Sequence, residues 1–207
     1  MLFILAKGFV LGLAIAAPLG PIGTLCISRT LERGFLVGLA GGVGTALADA
    51  TYAALAAAGF AAFARFLDAI SLPLQLAGGA FLLWLGVTNL RPRRDVRPAR
   101  VGARDVLSTT VSTYLLTMAN PTTILSFAAI FAGLGLAGEG DWFGAVSLVA
   151  GVFAGSMLWW LFLCGLVTQL RYRLPKAFAN WVSRVSGLVL IAFGAVAVVL
   201  GLQGLLV

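Results

Sequence analysis

The sequence predicts an all-helical integral membrane protein with six transmembrane helices, arranged as two inverted three-helix repeats with broken first and fourth helices. Three observations lead to this fold class: an apolar composition, six apolar runs of spanning length, and Gly/Pro interruptions at corresponding places in the two halves. Of the 207 residues, 61% are hydrophobic and 10% are charged. Soluble proteins average roughly 45–50% apolar and about 25% charged residues, so the chain is predicted to lie in a membrane.

Six apolar runs are long enough to cross a bilayer, which takes about 20 residues. The one substantial connection between them, "RPRRDVRPARVGARD" at Arg91–Asp105, contains six arginines and predicts an exposed cytoplasmic loop. This loop at 91–105 separates a first three-helix repeat at 1–90 from a second at 106–207. The runs fall at 3–27, 35–62, 71–90, 110–136, 142–170 and 180–206.

The basic residues predict the orientation of these spans. Short cytoplasmic loops carry an excess of Lys and Arg, and placing the 91–105 loop inside puts twelve of the 14 basic residues on that side. Only Lys7 and Arg65 then fall outside, and both termini are predicted to be periplasmic. Because the positive charges mark the ends of spans, the net charge of +7 does not indicate a nucleic-acid partner.

Small residues and prolines recur at corresponding positions of the two halves, which indicates inverted repeats. Generic packing of membrane helices also repeats small residues and is the alternative. The matching positions are Gly20-Pro21 and Asn120-Pro121 in spans one and four, Gly41 and Gly151 in spans two and five, and Gly79 with Gly86 and Gly187 with Gly194 in spans three and six.

The paired interruptions at Gly20-Pro21 and Asn120-Pro121 predict a substrate site near the middle of the membrane. A broken helix leaves free N–H groups and a positive dipole end facing a cavity. A single interruption would be explained as well by an ordinary proline kink, but two matched ones favour a site. We therefore expect Gly20, Pro21, Asn120 and Pro121 to contact the substrate.

Asp49 is the acidic residue deepest in any span, about 21 Å along its helix from Phe35 at 1.5 Å per residue. An intramembrane carboxylate is costly, and its default interpretation is functional. Helical spacing places Thr45, Asp49 and Tyr52 on one stripe with several glycines. These three residues are predicted to bind substrate, and Asp49 to exchange a proton. The alternative is a protonated Asp49 that hydrogen-bonds a neighbouring helix.

Trp159 follows Asp49 by 110 positions, the offset that relates spans two and five. An indole opposite a carboxylate would hold an ammonium group by a cation–π contact, and Trp159 is therefore included among the predicted substrate-binding residues. Packing against the protein or the lipid is the alternative role.

The histidine and cysteine content of the chain limits which other functions are possible. The chain contains no histidine and two cysteines, which excludes a His-based catalytic triad or a zinc site and predicts no metal, no cofactor and no enzyme activity. Cys26 and Cys164 allow a different function, a six-span thiol-disulfide electron carrier, although inert packing is the alternative for both. A membrane scaffold without transport activity is a third possibility.

The motifs together resemble the LysE/RhtB superfamily of amino-acid exporters. The similar segments are Gly20-Pro21, "RGFLVGLAGGVGTALADATYAALAAAGF", "LAGGAFLLWLGV" and "ANP". The resemblance implies a bacterial inner-membrane exporter of amino acids or related metabolites that is driven by the proton gradient. Thr122 stands where the family often has a basic residue, which leaves exporters of other small solutes open. Substrate and lipid bilayer are the expected partners, and a homo-oligomer is left open.

Overall fold

The computed structural model describes residues 1–18, 20–57, 76–88, 102–120, 142–171 and 176–203, together with positions 72, 90, 123, 124, 126 and 127. Regular secondary structure in these residues is entirely helical, which confirms the all-helical prediction. The helices are α1 (Leu2–Ala16), α2 (Pro21–Arg33), α3 (Phe35–Ala57), α4 (Leu76–Thr88), α5 (Ala103–Met118), α6 (Trp142–Arg171) and α7 (Lys176–Gln203).

Helix length and composition are those of a membrane protein. Three segments in the described part of the chain are long and apolar enough to cross a bilayer: α3, α6 up to Leu170, and the Arg184–Gln203 part of α7. The pair α1 and α2 makes a fourth candidate that is bent by 79°, whereas α4 is apolar but shorter. The described residues thus supply three or four of the six predicted spans, and the count of six stays a prediction.

The predicted break in the first helix is confirmed. α1 ends at Ala16 and α2 begins at Pro21, with Gly20 in extended conformation before it. Proline suits the first position of a helix, where its missing N–H is not needed, but it prevents continuation from the preceding turn. α2 then runs to Arg33, beyond the predicted end at residue 27, because a helix can continue past its apolar residues.

Gly34 alone connects α2 to α3. Its backbone angles, φ 94° and ψ 176°, lie in a region that is essentially restricted to glycine. The chain therefore reverses within one residue, and the start of α3 packs against the end of α2. At Gly38 the two helices are so close that a Cβ would meet the Thr30 hydroxyl.

α5 begins at Ala103, inside the segment predicted to be loop as far as Asp105, so that loop boundary is wrong. The Gly102 N–H donates to the Asp105 carboxylate at 3.2 Å, and this carboxylate also lies 3.9 Å from the Arg33 guanidinium. Acidic side chains stabilise the first turn of a helix. The prediction followed the apolar runs, and the charged first turn of α5 was therefore assigned to the loop.

The chain also leaves helical conformation at the second predicted break. α5 ends at Met118, and the Asn120 carbonyl then accepts a hydrogen bond from the Ile124 N–H at 3.1 Å. At the first break the Gly20 carbonyl accepts from the Thr24 N–H at the same distance. The two breaks are therefore followed by the same helical hydrogen bond. Pro121 itself lies outside the described residues.

Glycines allow α1 and α6 to touch through their backbones. A Cβ at Gly8 would meet the Leu148 carbonyl, and a Cβ at Gly12 would meet the Val152 carbonyl. The contact advances by four residues on both helices, so α1 and α6 run parallel. α6 is the second helix of the second predicted repeat, and α3, the second helix of the first repeat, also has a parallel neighbour.

α3 and α5 form a second parallel pair. A Cβ at Gly44 would meet the Thr110 carbonyl, and the Thr110 hydroxyl donates to the Ala40 carbonyl at 3.0 Å. Further along both helices, Tyr52 reaches Met118. α3 also packs against α6, so α3 and α6 form the centre of the bundle with α5 and α1 on either side.

The matched glycines of the third and sixth predicted spans meet each other between α4 and α7. A Cβ at Gly79 would lie 3.0 Å from the Gly194 carbonyl oxygen, and one at Gly86 would lie 2.7 Å from the Gly187 carbonyl oxygen. The earlier glycine of α4 contacts the later one of α7. The two helices are therefore antiparallel, with the matched positions exchanged across the contact.

Candidate functional site

The Asp49 carboxylate lies between the two central helices. Asp49 on α3 is 1% exposed, and the Ser156 hydroxyl of α6 donates to its Oδ2 at 2.7 Å. Thr45 and Tyr52 are buried as well, so the predicted stripe does face the protein interior. Among the described residues the carboxylate has no cationic partner. A buried carboxylate with one hydroxyl neighbour is costly when ionised, and the site is therefore suited to take up a proton or a cation.

A column of threonine hydroxyls extends from Asp49 toward the connection between α2 and α3. Thr45 lies one helical turn before Asp49, and the Thr117 hydroxyl of α5 lies 3.5 Å from the Thr45 hydroxyl. Thr117 donates to the Thr113 carbonyl at 2.9 Å, and Thr113 donates to the Thr109 carbonyl at 2.7 Å. These threonines are buried, so the column is a polar seam within an apolar bundle.

Tyr52 connects α3 to the second break. Its hydroxyl donates to the Met118 carbonyl at 2.6 Å, and its ring lies 5.3 Å from that of Phe127. Because Met118 ends α5, its carbonyl has no intrahelical donor, and Tyr52 supplies one. Asn120 is buried close to this point, while Pro121 falls outside the residues that the structure describes.

The first break exposes the N-terminal donors of α2 to the bundle interior. Pro21 has no N–H and the Thr24 N–H is bonded to the Gly20 carbonyl, so the donors at this helix end are Ile22 and Gly23. Both are buried, and no side chain caps the helix. Such an end attracts anions. Beside Gly20, a Cβ would meet none of the described atoms within 4 Å.

Trp160 forms the wall of this break. It is 3% exposed and packs in one apolar cluster with Ile22 of α2 and Ala46 of α3, with Trp159 at the cluster edge. The Trp159 ring is tilted against Phe162 at 5.9 Å. Neither indole N–H has a hydrogen-bond partner in the described part of the molecule.

Asp49 and Ser156 each lie about one helical turn from a residue of the cluster at the first break. Ala46 precedes Asp49 by three residues on α3, and Trp160 follows Ser156 by four residues on α6. The structure therefore brings the Asp49–Ser156 pair close to the N-terminus of α2. It places Trp159 at the edge of this region, whereas the Asp49 carboxylate accepts its hydrogen bond from Ser156.

Sequence reasoning missed Ser156 and Trp160. The predicted stripe on the fifth span followed its glycines, and the structure shows that Gly151 and Gly155 face α1. The neighbouring face carries Ser156 and Trp160 toward α3. A polar residue in the buried half of an apolar span is the signal that would have selected Ser156.

Arg29 was also missed, because it was counted only as a marker of topology. Its Nη1 donates to the Thr113 hydroxyl at 3.1 Å and its Nη2 to the Ser112 hydroxyl at 3.5 Å. The continuation of α2 to Arg33 places Arg29 one turn before the end of the helix. The guanidinium thus joins the threonine column on α5.

Cys26 and Cys164 lie on two helices that contact each other. Both thiols are free and buried, on α2 and α6. The Thr30 hydroxyl donates to the Cys26 carbonyl at 2.8 Å. A redox partner has little access to thiols buried in this way, which favours packing as their role.

Comparison with known proteins identifies relatives along most of the chain. The sequence model of the LysE type translocator family matches residues 13–201. A Bacillus subtilis (strain 168) protein that carries the name "Putative amino acid efflux protein YcgF" is 27% identical over 89% of this chain and 90% of its own length. The Pseudomonas aeruginosa chemotactic transduction protein ChpE is 28% identical over 83% and 85% of the two chains. No solved structure matches.

Proposed function

Because the chain belongs to the LysE type translocator family, we propose that it exports amino acids or related small metabolites from bacteria in exchange for protons. The observation that carries the proposal is the buried Asp49 carboxylate, which accepts a hydrogen bond from Ser156 and lies one helical turn from Ala46, in the cluster beside the uncapped N-terminus of α2. A relative that covers most of the chain is named as an amino acid efflux protein. The location is the inner membrane, with both termini outside and the 91–105 segment inside.

The two ends of an amino acid fit the two ends of this site. The N–H groups at the start of α2, beside Gly20 and Pro21, bind the substrate carboxylate, and those beside Asn120 and Pro121 are their counterparts in the second half. The Asp49 carboxylate binds the ammonium group, together with Thr45 and Tyr52. Trp159 lies at the edge and closes the site over the substrate.

Exchange at Asp49 couples the two fluxes. With substrate bound, the ammonium group compensates the buried carboxylate; after the substrate leaves outward, a proton takes its place. The unloaded, unprotonated carboxylate has no compensating charge and is the costly state. The cycle therefore replaces one bound positive charge with another, and because substrate moves outward while the proton moves inward, the two fluxes are coupled as antiport.

Two inverted repeats provide the alternating access that export requires. The support is the pairing of helices across the halves: α1 with α6 and α5 with α3, both parallel, and α4 with α7, antiparallel. The first pair becomes the second when the halves are exchanged. The third pair becomes itself, as expected for helices that lie against a two-fold axis.

The antiparallel contact of α4 and α7 predicts a pattern of disulfide cross-links. In a Cys26→Ala/Cys164→Ala background, Gly86→Cys with Ile191→Cys should cross-link, because a Cβ at position 86 lies 2.6 Å from the Ile191 side chain. Gly79→Cys with Val198→Cys should also form, since the corresponding distance is 2.8 Å. Gel mobility without reductant measures both.

The matched control for these cross-links exchanges the partners. Gly86→Cys with Val198→Cys separates the thiols by about two helical turns, or roughly 10 Å, which exceeds the reach of a disulfide. Cross-linking of the exchanged pairs with equal yield would contradict the antiparallel arrangement.

Export itself is tested by comparing released metabolites. Cells that express the protein should release at least one amino acid or related metabolite faster than cells with an empty vector, by untargeted mass spectrometry of the medium. The Cys26→Ala/Cys164→Ala variant should release it equally fast, because the thiols are not part of the site. Loss of all activity in that variant would favour the electron carrier, and no released solute would contradict export.

A further inference from the structure

Arg29 is a charged group held inside the bundle by neutral partners. Its guanidinium donates to two hydroxyls of α5, Thr113 at 3.1 Å and Ser112 at 3.5 Å, and Thr113 is fully buried. Within the described residues, the single ion pair joins Arg33 to Asp105. Arg29 therefore has no carboxylate partner among them.

A guanidinium with hydroxyl partners is not neutralised. Hydroxyl oxygens satisfy its N–H donors, but they leave the full positive charge, which is costly to bury. Arg29 carries five donors in a planar fork, and the structure records two of its hydrogen bonds. The remaining donors, and a charge that has no carboxylate partner among the described residues, suit one kind of ligand, a planar anion with two oxygens.

Other features place this group on a path to Asp49. Arg29 lies at the end of the threonine column, where Thr113 is followed by Thr117 and Thr45 before Asp49. Ser112, its second partner, also lines a cavity of about 410 Å³ between α4 and α5, so the cluster borders open volume. Arg29 is partly exposed, whereas Asp49 is 1% exposed.

We propose that Arg29, with Ser112 and Thr113, is a second binding station that receives the carboxylate of the substrate before the substrate reaches Asp49. The identity of the carboxylate as that of an amino acid rests on the proposed function. The two charged groups are separated by about two helical turns, or roughly 11 Å, which is too far for one α-amino acid to bridge. Substrate therefore binds at the two stations in succession, carboxylate first at Arg29 and ammonium afterward at Asp49.

Residue-specific modification tests this station without a known substrate. The purified protein in phosphatidylcholine nanodiscs is treated with phenylglyoxal, and the peptide that contains Arg29 is quantified by mass spectrometry. The probe is a mixture of the twenty L-amino acids. Once an acid exceeds its Kd by about tenfold, modification of Arg29 should slow by about the same factor, because only the unoccupied fraction reacts.

Two matched controls define the chemistry of protection. Arg33, one turn further along α2 and exposed beside Asp105, should be modified at the same rate with and without the mixture. The corresponding amino-acid amides, which keep the ammonium group and lack the carboxylate, should give no protection. Protection of Arg29 by the amides to the same extent, or an Arg29 that phenylglyoxal never reaches, overturns the proposal.

A lipid phosphate is the other anion that Arg29 would meet, and nanodiscs of phosphatidylglycerol distinguish it. If these nanodiscs protect Arg29 without added amino acids and the mixture adds nothing, the station binds lipid and the proposal is wrong. If the amino-acid mixture does not protect Arg29 of the purified protein from phenylglyoxal, while cells that express the protein still release amino acids, the station fails and export stands. If Arg29 is protected but no solute is released, the station stands and export fails.

Discussion

Asp49→Asn should reduce proton-driven substrate exchange by at least about 100-fold. Removing one member of a buried charge pair costs about 3–5 kcal/mol, and each 1.4 kcal/mol corresponds to about tenfold in an equilibrium constant. The amide has nearly the shape of the carboxylate and keeps an acceptor for the Ser156 hydroxyl. In the unmodified protein this hydroxyl donates to Asp49 Oδ2 at 2.7 Å. The amide can neither bind a proton nor compensate an ammonium group.

The measurement uses everted membrane vesicles and the solute identified by the release experiment. An imposed proton gradient drives uptake of the radiolabelled solute, and initial rates are compared at equal protein content. Ser156→Ala is the matched variant on the other side of the pair: losing one hydrogen bond costs about 0.5–1.5 kcal/mol, so a loss of about tenfold or less is expected. Undiminished uptake by Asp49→Asn would remove Asp49 from the coupling mechanism.

Folding of the Asp49→Asn variant separates mechanism from stability. Replacing a carboxylate by a neutral amide removes the cost of burying a charge, so thermal unfolding in detergent should occur at the same temperature as in the unmodified protein or above it. A variant that is inactive and equally stable has lost the charge and proton binding of Asp49 and not its fold. A variant that unfolds markedly earlier would show that Asp49 holds α3 to α6.

Gly155→Leu should destabilise the protein by about 3 kcal/mol, at the upper end of the usual cost of overpacking. A Cβ at this position would meet the Phe9 carbonyl of α1, with the Leu13 nitrogen at 2.9 Å. Backbone atoms cannot move aside as the end of a flexible side chain can. The two helices must separate, and the contacts along their whole seam weaken.

The control for this substitution lies on the same helix. A Cβ at Gly165 would meet no described atom within 4 Å, so Gly165→Leu should leave the unfolding temperature unchanged or raise it, because leucine has the higher helix propensity. Gly44→Leu, at the α3–α5 contact, should behave like Gly155→Leu. Equal stability of the Gly155 and Gly165 variants would contradict the backbone contact between α1 and α6.

The parts of the fold that follow from local chemistry could be predicted from the sequence. Pro21 cannot continue a helix from the preceding turn, so the break beside it follows from one residue type. The burial of Asp49 followed from its place in an apolar run with glycines on the same face. The loop was predicted to extend to Asp105, past the observed start of α5, because the first turn of α5 is charged. Asp105 stabilises that turn through a contact that hydropathy does not record.

The composition of the site depended on which helices meet, and this information is not local. Ser156 is one serine in a long apolar run, and its importance appears only when α6 packs against α3. Arg29 sits near a helix end, where arginines usually mark the cytoplasmic side; its contact with Thr113 requires α5, more than eighty residues further along the chain. The sequence also gave no reason to choose Trp160 over Trp159.

The contact between α1 and α6 also has a consequence for biosynthesis. Gly12 meets Val152, so α1 packs on a helix made 140 residues later. At synthesis rates of about 5–20 residues per second, α1 waits roughly 7–28 s for its partner. During that time its glycine face lacks the α6 backbone that it contacts in the folded protein, so the amino-terminal half cannot complete its packing before the carboxyl-terminal half has entered the membrane.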